Sequence, residues 1–267
     1  IFKMSAEQYT YLQTLNSHER DSHISFDEPT HVYTIDGDSD YISVTTFNHD
    51  HFEKFDADNI IDKMMKSKNW CNNKYYPKTK EEILNIWEKN RIEASTSGTK
   101  MHLDIEKFYN NVNVYNDSIE YSYFMNFNND FKNVLTPWRT EMMIWTSEYK
   151  LAGSVDMIYK NNDDDTYSIY DWKRSKEIKK TAYNKFGIKP CISHLPDSNY
   201  WHYSLQLSTY KFILERNYDI KIRDMYLVCL HPDNKNSNYQ RIKVVDLTEE
   251  VSELLNIRKS NLSNKEK

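Results

Sequence analysis

The stretch from Tyr149 to Lys176, which reads YKLAGSVDMIYKNNDDDTYSIYDWKRSK, constrains the fold more than any other part of the chain. It contains two runs rich in β-branched and aromatic residues, Leu151 to Tyr159 and Tyr167 to Lys173, on either side of a polar NNDDD segment. Runs of this kind flanking a polar turn predict a β-hairpin. The rest of the domain is therefore expected to pack around this hairpin.

Charged side chains fall on one face of the predicted hairpin. Side chains alternate along a strand, so Asp171 and Lys173 share a face while Trp172 points to the other. The preceding strand can bring Asp156 beside Asp171. Two carboxylates with an ammonium suit Mg²⁺ or Mn²⁺ and the cleavage of a phosphodiester. The alternative is an ordinary sheet edge with solvated charges, because an acid followed two residues later by Lys recurs elsewhere in the chain.

Length and charge limit the possible functions. With 267 residues the chain can bury a full core, and its net charge of −5 argues against coating nucleic acid through bulk charge. The local distribution differs, since the segment from Lys173 to Lys189 contains seven Lys or Arg residues and one acid, Glu177. This segment is expected either to bind along the phosphates of a nucleic acid or to be a solvated surface of a helix or loop.

The cysteine content points to a reducing compartment. Three widely spaced cysteines suggest neither a disulfide framework nor a zinc ribbon, so an intracellular setting is expected, without distinction between cytoplasm, nucleus and mitochondrion. No run of about 18 apolar residues occurs, and no membrane helix is predicted. The chain begins with Ile rather than Met, which leaves open whether a targeting peptide has been removed.

The N-terminal third is predicted to combine short helices with a hairpin. A helix is expected from Ala6 to Leu15, a hairpin from HVYTI and YISVTT, and a helix from FDADNIIDKMMKS. Thr79 and Glu82 form a capping-box pattern for a further helix that runs to about Ala94. Between these helices, Trp70 to Lys80 mixes aromatic residues with Lys, which suits either base stacking or a surface loop.

A separate helix is predicted from the sequence STSGTKMHLDIEKFYN. Ser97 or Thr99 can cap it, and an apolar stripe follows at helical spacing. His102 lies beside that stripe, where a histidine is either a hydrogen-bonded structural residue or a ligand.

The C-terminal part predicts a mixed α/β domain. A helix from Tyr121 to Leu135 is expected to stop before Pro137, and a strand from Arg139 to Thr146 forms a three-stranded meander with the hairpin. A buried helix follows, with Gln206 and Tyr210 one turn apart. This order predicts a mixed central sheet flanked by helices. The remaining predicted elements are helix 199–217, strands 223–230 and 239–245, and helix 247–259.

Four short motifs now stand in order: GTKMH, AGSVD, YDWK and QLSTY. Together they resemble the PD-(D/E)XK nucleases, with a restriction-endonuclease-like core. Within that superfamily they are most similar to the RecB-like exonuclease group, which includes the mitochondrial genome maintenance exonuclease and phage and large-virus relatives. The resemblance covers about residues 95–230. It implies a nuclease core at 95–267 and an N-terminal hairpin and helical elaboration at 1–94, in which 26–94 forms a strand-guiding arch.

The resemblance implies a role for each matching residue. His102, Asp156 and Asp171 would bind Mg²⁺ or Mn²⁺, and the backbone carbonyl of Trp172 would complete the shell. Lys173 would position the attacking water. Gln206 and Tyr210 would support the site and touch the nucleic acid. Further nucleic-acid contacts are expected from Arg174, Lys176, Lys179, Lys180, Trp70, Tyr75 and Tyr76.

One departure from the family limits these expectations, and two further carboxylates need an assignment. RecB-like relatives with an iron–sulfur cluster need four cysteines, and this chain has three, so no cluster is predicted. Glu106 and Glu141 are candidates for supporting carboxylates, but we predict solvated or structural roles for them.

The resulting prediction is a metal-dependent hydrolase of DNA phosphodiesters that acts as a single-strand-preferring, end-dependent exonuclease in replication, recombination or repair. Its partners would be DNA and a helicase, polymerase or recombination protein, with no membrane. One alternative is an endonuclease acting on RNA or on particular DNA structures with the same site. Another is a non-catalytic nucleic-acid-binding accessory domain.

Overall fold

The computed structural model describes residues 9–265 of the chain. Seven α-helices lie in that range, and the first three residues of the predicted Ala6–Leu15 helix fall outside it. The helices are α1 Tyr11–Leu15, α2 Val44–His49, α3 Ala57–Met65, α4 Lys80–Tyr109, α5 Ile119–Phe131, α6 Asn199–Asn217 and α7 Thr248–Lys265. The strands are β1 Ile24–Asp27, β2 Val32–Ile35, β3 Ile42–Ser43, β4 Leu135–Thr146, β5 Leu151–Asn161, β6 Tyr167–Lys173, β7 Ile222–Cys229 and β8 Gln240–Lys243.

A mixed sheet forms the centre of the fold. β4, β5 and β6 make the predicted antiparallel meander, β7 joins β6 in parallel, and β8 closes the far edge antiparallel to β7. β3 adds a short parallel pairing to β5. The predicted mixed α/β architecture, a central sheet with helices on its faces, is confirmed.

The two faces of the sheet bury different clusters. On one face, α6 packs Leu207 and Ile213 against a group that includes Ile169 of β6. On the other face, Phe124 and Phe127 of α5 pack in a cluster with Tyr170 and Trp172 of β6. Consecutive residues of β6 therefore point to opposite faces, as the alternation predicts.

The chain divides into two compact units, Lys54–Lys100 and the remainder. In the smaller unit, the Thr79 backbone N–H donates to Glu82 and the Glu82 N–H donates to the Thr79 hydroxyl, so the predicted capping box is confirmed. The proposed division at residue 95 into an elaboration and a nuclease core stays a prediction. Across residues 9–265, no helix combines the length and the apolar character needed to span a membrane.

The prediction of two helices between Thr79 and Tyr109 was wrong. A single helix, α4, runs through Ser97, Gly98 and Thr99. Serine and threonine favour helix starts but do not end a helix that already has its backbone hydrogen bonds, and no proline interrupts this stretch.

The predicted pairing of HVYTI with YISVTT was also wrong. β2 pairs with β1, whereas β3 pairs with β5. The chain then turns into α2, because the Ser43 hydroxyl accepts the Thr46 N–H and caps the helix. The β-propensity of YISVTT is therefore outweighed by the helix cap at Ser43 and by the pairing of β3 with β5.

Pro137 was predicted to separate a helix from a strand, and this prediction was wrong. α5 ends at Phe131, and Pro137 lies inside β4 at a register shift between Pro137 and Arg139. In the described sheet, β4 pairs only with β5 and is an edge strand. Proline is tolerated at an edge or a bulge because its missing N–H is not needed there.

Two glycine substitutions should change stability in opposite directions. A Cβ built on Gly98 meets nothing within 4 Å, so Gly98→Ala should stabilise α4 by about 0.5–1 kcal/mol. A Cβ on Gly153 would lie 2.8 Å from Tyr210 Cε1, so Gly153→Ala should destabilise the protein by about 1–3 kcal/mol. Urea unfolding of both variants measures the difference. A loss of stability in Gly98→Ala would contradict a continuous α4.

Candidate metal centre

The candidate centre lies where β5 and β6 separate. β4 pairs along one whole side of β5, so β3 and β6 share the other side. There β3 pairs with residues 151–152 and β6 with residues 157–160, which leaves residues 153–156 without a strand partner on that side in the described chain. Within this opening the Trp172 N–H donates to Asp156 Oδ2 at 2.9 Å. A carboxylate thus replaces the backbone acceptor that a continued ladder would supply.

α4 brings His102 to the same opening. Its Nε2 lies 2.9 Å from the Trp172 carbonyl oxygen, a hydrogen-bond distance. Its Nδ1 lies 3.5 Å from Asp156 Oδ2 and 3.6 Å from Glu141 Oε1. The backbone carbonyl therefore orients the ring so that the other nitrogen faces two carboxylates, which is how outer contacts commonly orient histidine ligands.

Glu141 joins the centre from β4, although the sequence analysis gave it a solvated or structural role. It stands opposite Asp156, between the pairs Thr140↔Met157 and Met142↔Val155. The Ser154 hydroxyl donates to Glu141 Oε2 at 3.0 Å. The backbone of Glu141 has a φ of 42°, unusual for a strand residue other than glycine and typical of sites where strain is retained for function.

A signal for Glu141 was present in the sequence. The strands were predicted to end at Thr146 and to begin at Leu151. Counting back five residues from Thr146 and forward five from Leu151 places Glu141 opposite Asp156 in an antiparallel pair.

Together, His102, Glu141 and Asp156 form a donor set that fits one divalent cation. One ligand atom from each lies within 4.8 Å of the others. Two carboxylates favour hard cations, and the imidazole shifts the preference from Mg²⁺ towards Mn²⁺. Asp171, which was predicted to be a ligand, does not belong to this group of three.

Asp171 instead contacts Lys173. Its Oδ2 lies 2.6 Å from Lys173 Nζ, and the Asp171 side chain is only 2% exposed. The ammonium also lies 4.6 Å from the centroid of the Tyr203 ring, a cation–π contact. A carboxylate and an aromatic face therefore hold the lysine at the edge of the opening.

The charges of the centre shift one another's pKa values. Burial alone would lower the pKa of His102, but the Asp156 and Glu141 carboxylates outweigh burial and raise it to about 9. Burial raises the pKa of Asp171 to about 6 despite the opposing effect of Lys173. The pKa of Lys173 is raised because attraction by Asp171 and Asp156 exceeds the effect of burial. A cation bound here would replace the proton on His102, since ligands must be deprotonated.

Gln206 and Tyr210 support the opening from α6. Gln206 Nε2 donates to the Tyr210 hydroxyl at 3.0 Å and lies 3.4 Å from Thr45 Oγ1. Tyr210 is 4% exposed and packs where Gly153 leaves room for its ring. Tyr210, held by Gln206, therefore supports β5 at Gly153, three residues before Asp156.

The predicted nucleic-acid residues near the centre carry contacts of their own. Arg174 pairs with Glu120, Lys176 with Asp233 and Lys179 with Glu177. Lys180 Nζ lies 4.4 Å from the centroid of the Tyr200 ring.

The predicted aromatic residues of the Lys54–Lys100 unit contact one another and a neighbouring helix. Trp70 and Tyr76 meet edge to face, and the Tyr75 hydroxyl accepts a hydrogen bond from Trp87 Nε1 at 2.8 Å. The nucleic-acid roles of Trp70, Tyr75 and Tyr76 stay predictions.

Comparisons with known proteins add little to this geometry. No protein-family model matches the chain, and no curated protein does. The crystal structure of SSO0001 is 14% identical with a TM-score of 0.35, over 84% of this chain and 77% of that chain. A protein named "Putative exonuclease" from Eubacterium rectale is 13% identical with a TM-score of 0.38, over 99% of this chain and 85% of that chain. Any functional argument therefore rests on the site.

Metal binding should stabilise the protein through the three donors. Mn²⁺ at about 100 times its Kd should raise the Tm of the wild type by roughly 5 °C, because only the folded state assembles the site. Glu141→Gln and Asp156→Asn keep the side-chain shape but remove a ligand charge, so each should lose most of this rise. Differential scanning calorimetry with and without Mn²⁺ measures it.

The control for this experiment is Asp219→Asn, which removes an exposed carboxylate outside the centre. It should keep the full Mn²⁺ response. A full response in Glu141→Gln as well would exclude Glu141 from the ligand set.

Proposed function

We propose that this protein is a divalent-metal-dependent nuclease that hydrolyses DNA phosphodiesters. The observation that carries the proposal is the convergence of His102, Glu141 and Asp156 with the Asp171–Lys173 pair at one opening of the sheet. A binding module has no evident need for buried carboxylates beside a held ammonium. The order of motifs that resembles the PD-(D/E)XK nucleases, RecB-like group, supports the same conclusion.

His102, Glu141 and Asp156 would hold the ion. When bound, Mg²⁺ or Mn²⁺ supplies Lewis-acid polarisation of the phosphate and lowers the pKa of a bound water. Asp171 is proposed as a further ligand or as the anchor of Lys173, and its 2.6 Å contact with the ammonium favours the second role.

The protein's own groups would act on the phosphate. Lys173 offers a positive charge to the negative charge that develops on the phosphate oxygens, and Asp171 and Tyr203 keep that charge in position. The Trp172 carbonyl holds the His102 ring. Gln206 and Tyr210 keep β5 in place beneath the reacting groups.

Two substitutions should separate binding of the metal from catalysis. Lys173→Ala should reduce cleavage about 100- to 1000-fold because it removes a charge that stabilises the transition state. Mn²⁺ binding should persist in this variant, since Lys173 is not a ligand. Asp156→Asn should lose both properties. Cleavage of end-labelled DNA and calorimetric Mn²⁺ titration measure the two effects.

The matched control is Lys160→Ala, which removes a half-exposed lysine from the same sheet. It should cleave like the wild type. Cleavage by Lys173→Ala at the wild-type rate would show that the assigned centre is not catalytic.

We further propose that the enzyme requires a free end and prefers single strands. A linear single-stranded oligonucleotide should be shortened stepwise with Mn²⁺, whereas the same oligonucleotide circularised should resist. Gel analysis at equal concentration compares them. Rapid cutting of the circle would favour the endonuclease alternative. Faster cutting of an RNA circle of the same length would favour RNA as its substrate.

A role in replication, recombination or repair, with a helicase, polymerase or recombination protein as partner, is part of this proposal. So is an arch formed by residues 26–94. Both rest on the resemblance to the RecB-like group.

A further inference from the structure

The basic segment after Lys173 forms a loop whose two ends are held together. We call residues 180–185 the Tyr183 loop. At its start, the Ser198 hydroxyl and the Tyr200 N–H donate to the Lys179 carbonyl at 2.8 and 3.2 Å. At its end, the Asp197 N–H donates to the Lys185 carbonyl at 2.9 Å. Because both ends bind residues 197–200, the loop has the closed base of a compact surface loop.

Further contacts fix the flanks of the Tyr183 loop. Trp201 Nε1 donates to the Lys180 carbonyl at 2.9 Å. On the other flank, the Gly187 N–H donates to the Leu195 carbonyl at 3.0 Å. A Cβ on Gly187 would lie 2.6 Å from the Ile192 carbonyl oxygen, so the chain packs closely there. The base of the loop is therefore held by hydrogen bonds to backbone carbonyl groups.

The tip of this loop presents an aromatic ring to solvent. Tyr183 is 91% exposed, although tyrosine usually buries part of its ring. Lys179 and Lys180 precede it, and Lys185 follows it. Within a chain of net charge −5, the segment from Lys173 to Lys189 carries seven cations and one acid, and four of the cations pair with acids outside the segment: Lys173, Arg174, Lys176 and Lys185. An exposed ring among cations suits stacking on a base whose phosphates are neutralised nearby.

The loop is connected to the candidate centre through α6. The first turn of α6 supplies Tyr200 and Trp201, which contact the loop. The Tyr203 ring, on the next turn, lies 4.6 Å from Lys173 Nζ. At 1.5 Å of rise per residue, Tyr200 and Tyr203 are separated by only about 5 Å along the helix axis. A strand whose phosphate reaches Lys173 would therefore pass close to the base of the loop.

We propose that Tyr183 stacks on an unpaired base of the substrate strand while Lys179 and Lys180 contact its phosphates. This inference rests on the proposed function and deepens it by naming a contact with the single strand. Paired bases inside a duplex do not offer a free face to the ring, so the surface fits single-stranded nucleic acid.

The test is binding of a fluorescein-labelled oligothymidylate in EDTA, measured by anisotropy. Tyr183→Ala should weaken binding about 5- to 100-fold, and Tyr183→Trp should retain it, because a larger ring still stacks. The matched control is Tyr115→Ala, since Tyr115 is 95% exposed elsewhere on the same unit and should not contribute. Equal Tm values would show that all three variants fold.

An abasic oligonucleotide of equal length separates stacking from charge. Tyr183→Ala and the wild type should bind the abasic strand equally, whereas Lys180→Ala should bind it more weakly. The inference is overturned if Tyr183→Ala binds oligothymidylate as tightly as Tyr115→Ala, or if it loses equal affinity for the abasic strand. Wild-type protein that cleaves DNA with Mn²⁺ while Tyr183→Ala shows no binding defect would refute only this contact. Absence of both binding and cleavage in the wild type would refute the proposed function itself.

Discussion

The arrangement of the centre depends on one interruption of backbone pairing. The ladder between β5 and β6 ends at Met157↔Tyr170, whereas on its other side β6 stays paired with β7 through Lys173. The side chain of Asp156 then takes the Trp172 N–H that β5 backbone would otherwise accept. A continuous ladder would bring the two strands to about 4.8 Å along their length and leave no room between them. The opening therefore creates the site, and the hydrogen bond from Trp172 keeps it from being an unsatisfied defect.

The opening concentrates charges that would oppose folding if they stood alone. Three carboxyl groups meet there, from Asp156, Glu141 and Asp171, and all three are at least partly buried. Burial raises the pKa of both aspartates. His102 and Lys173 compensate them, which explains why the pKa of each base is raised although burial works in the other direction. Replacing such a group by an apolar core often stabilises a protein, so the cluster is better explained by chemistry than by stability. The positive φ of Glu141 adds a backbone cost at the same place.

Local sequence patterns predicted the strands and the helix that carry this chemistry. The predictions failed where the structure depends on pairing between distant parts of the chain. β6 was predicted with its observed ends, because a β-branched and aromatic run between turns has one obvious interpretation. β3 and α2 were mistaken for a hairpin arm, because only the pairing of Ile42 and Ser43 with β5 distinguishes the two outcomes. The position of Glu141 could be deduced from the predicted turn, but its left-handed backbone could not. No local sequence pattern predicts the positive φ of Glu141, because it depends on the groups that surround this residue in the fold.

α6 shows why the most predictable helix can also be the most important for the site. It was predicted with its observed ends because it is apolar nearly all round, and in the structure it packs into two separate clusters. Burial on several sides leaves it little freedom to shift. Its first turn holds the Tyr183 loop, Tyr203 faces Lys173, and Tyr210 fills the space beside Gly153. A loop could not keep these three contacts in register, whereas a buried helix fixes them at intervals of one or two turns. The precision of the proposed centre thus comes from core packing, and its charges are placed on that frame.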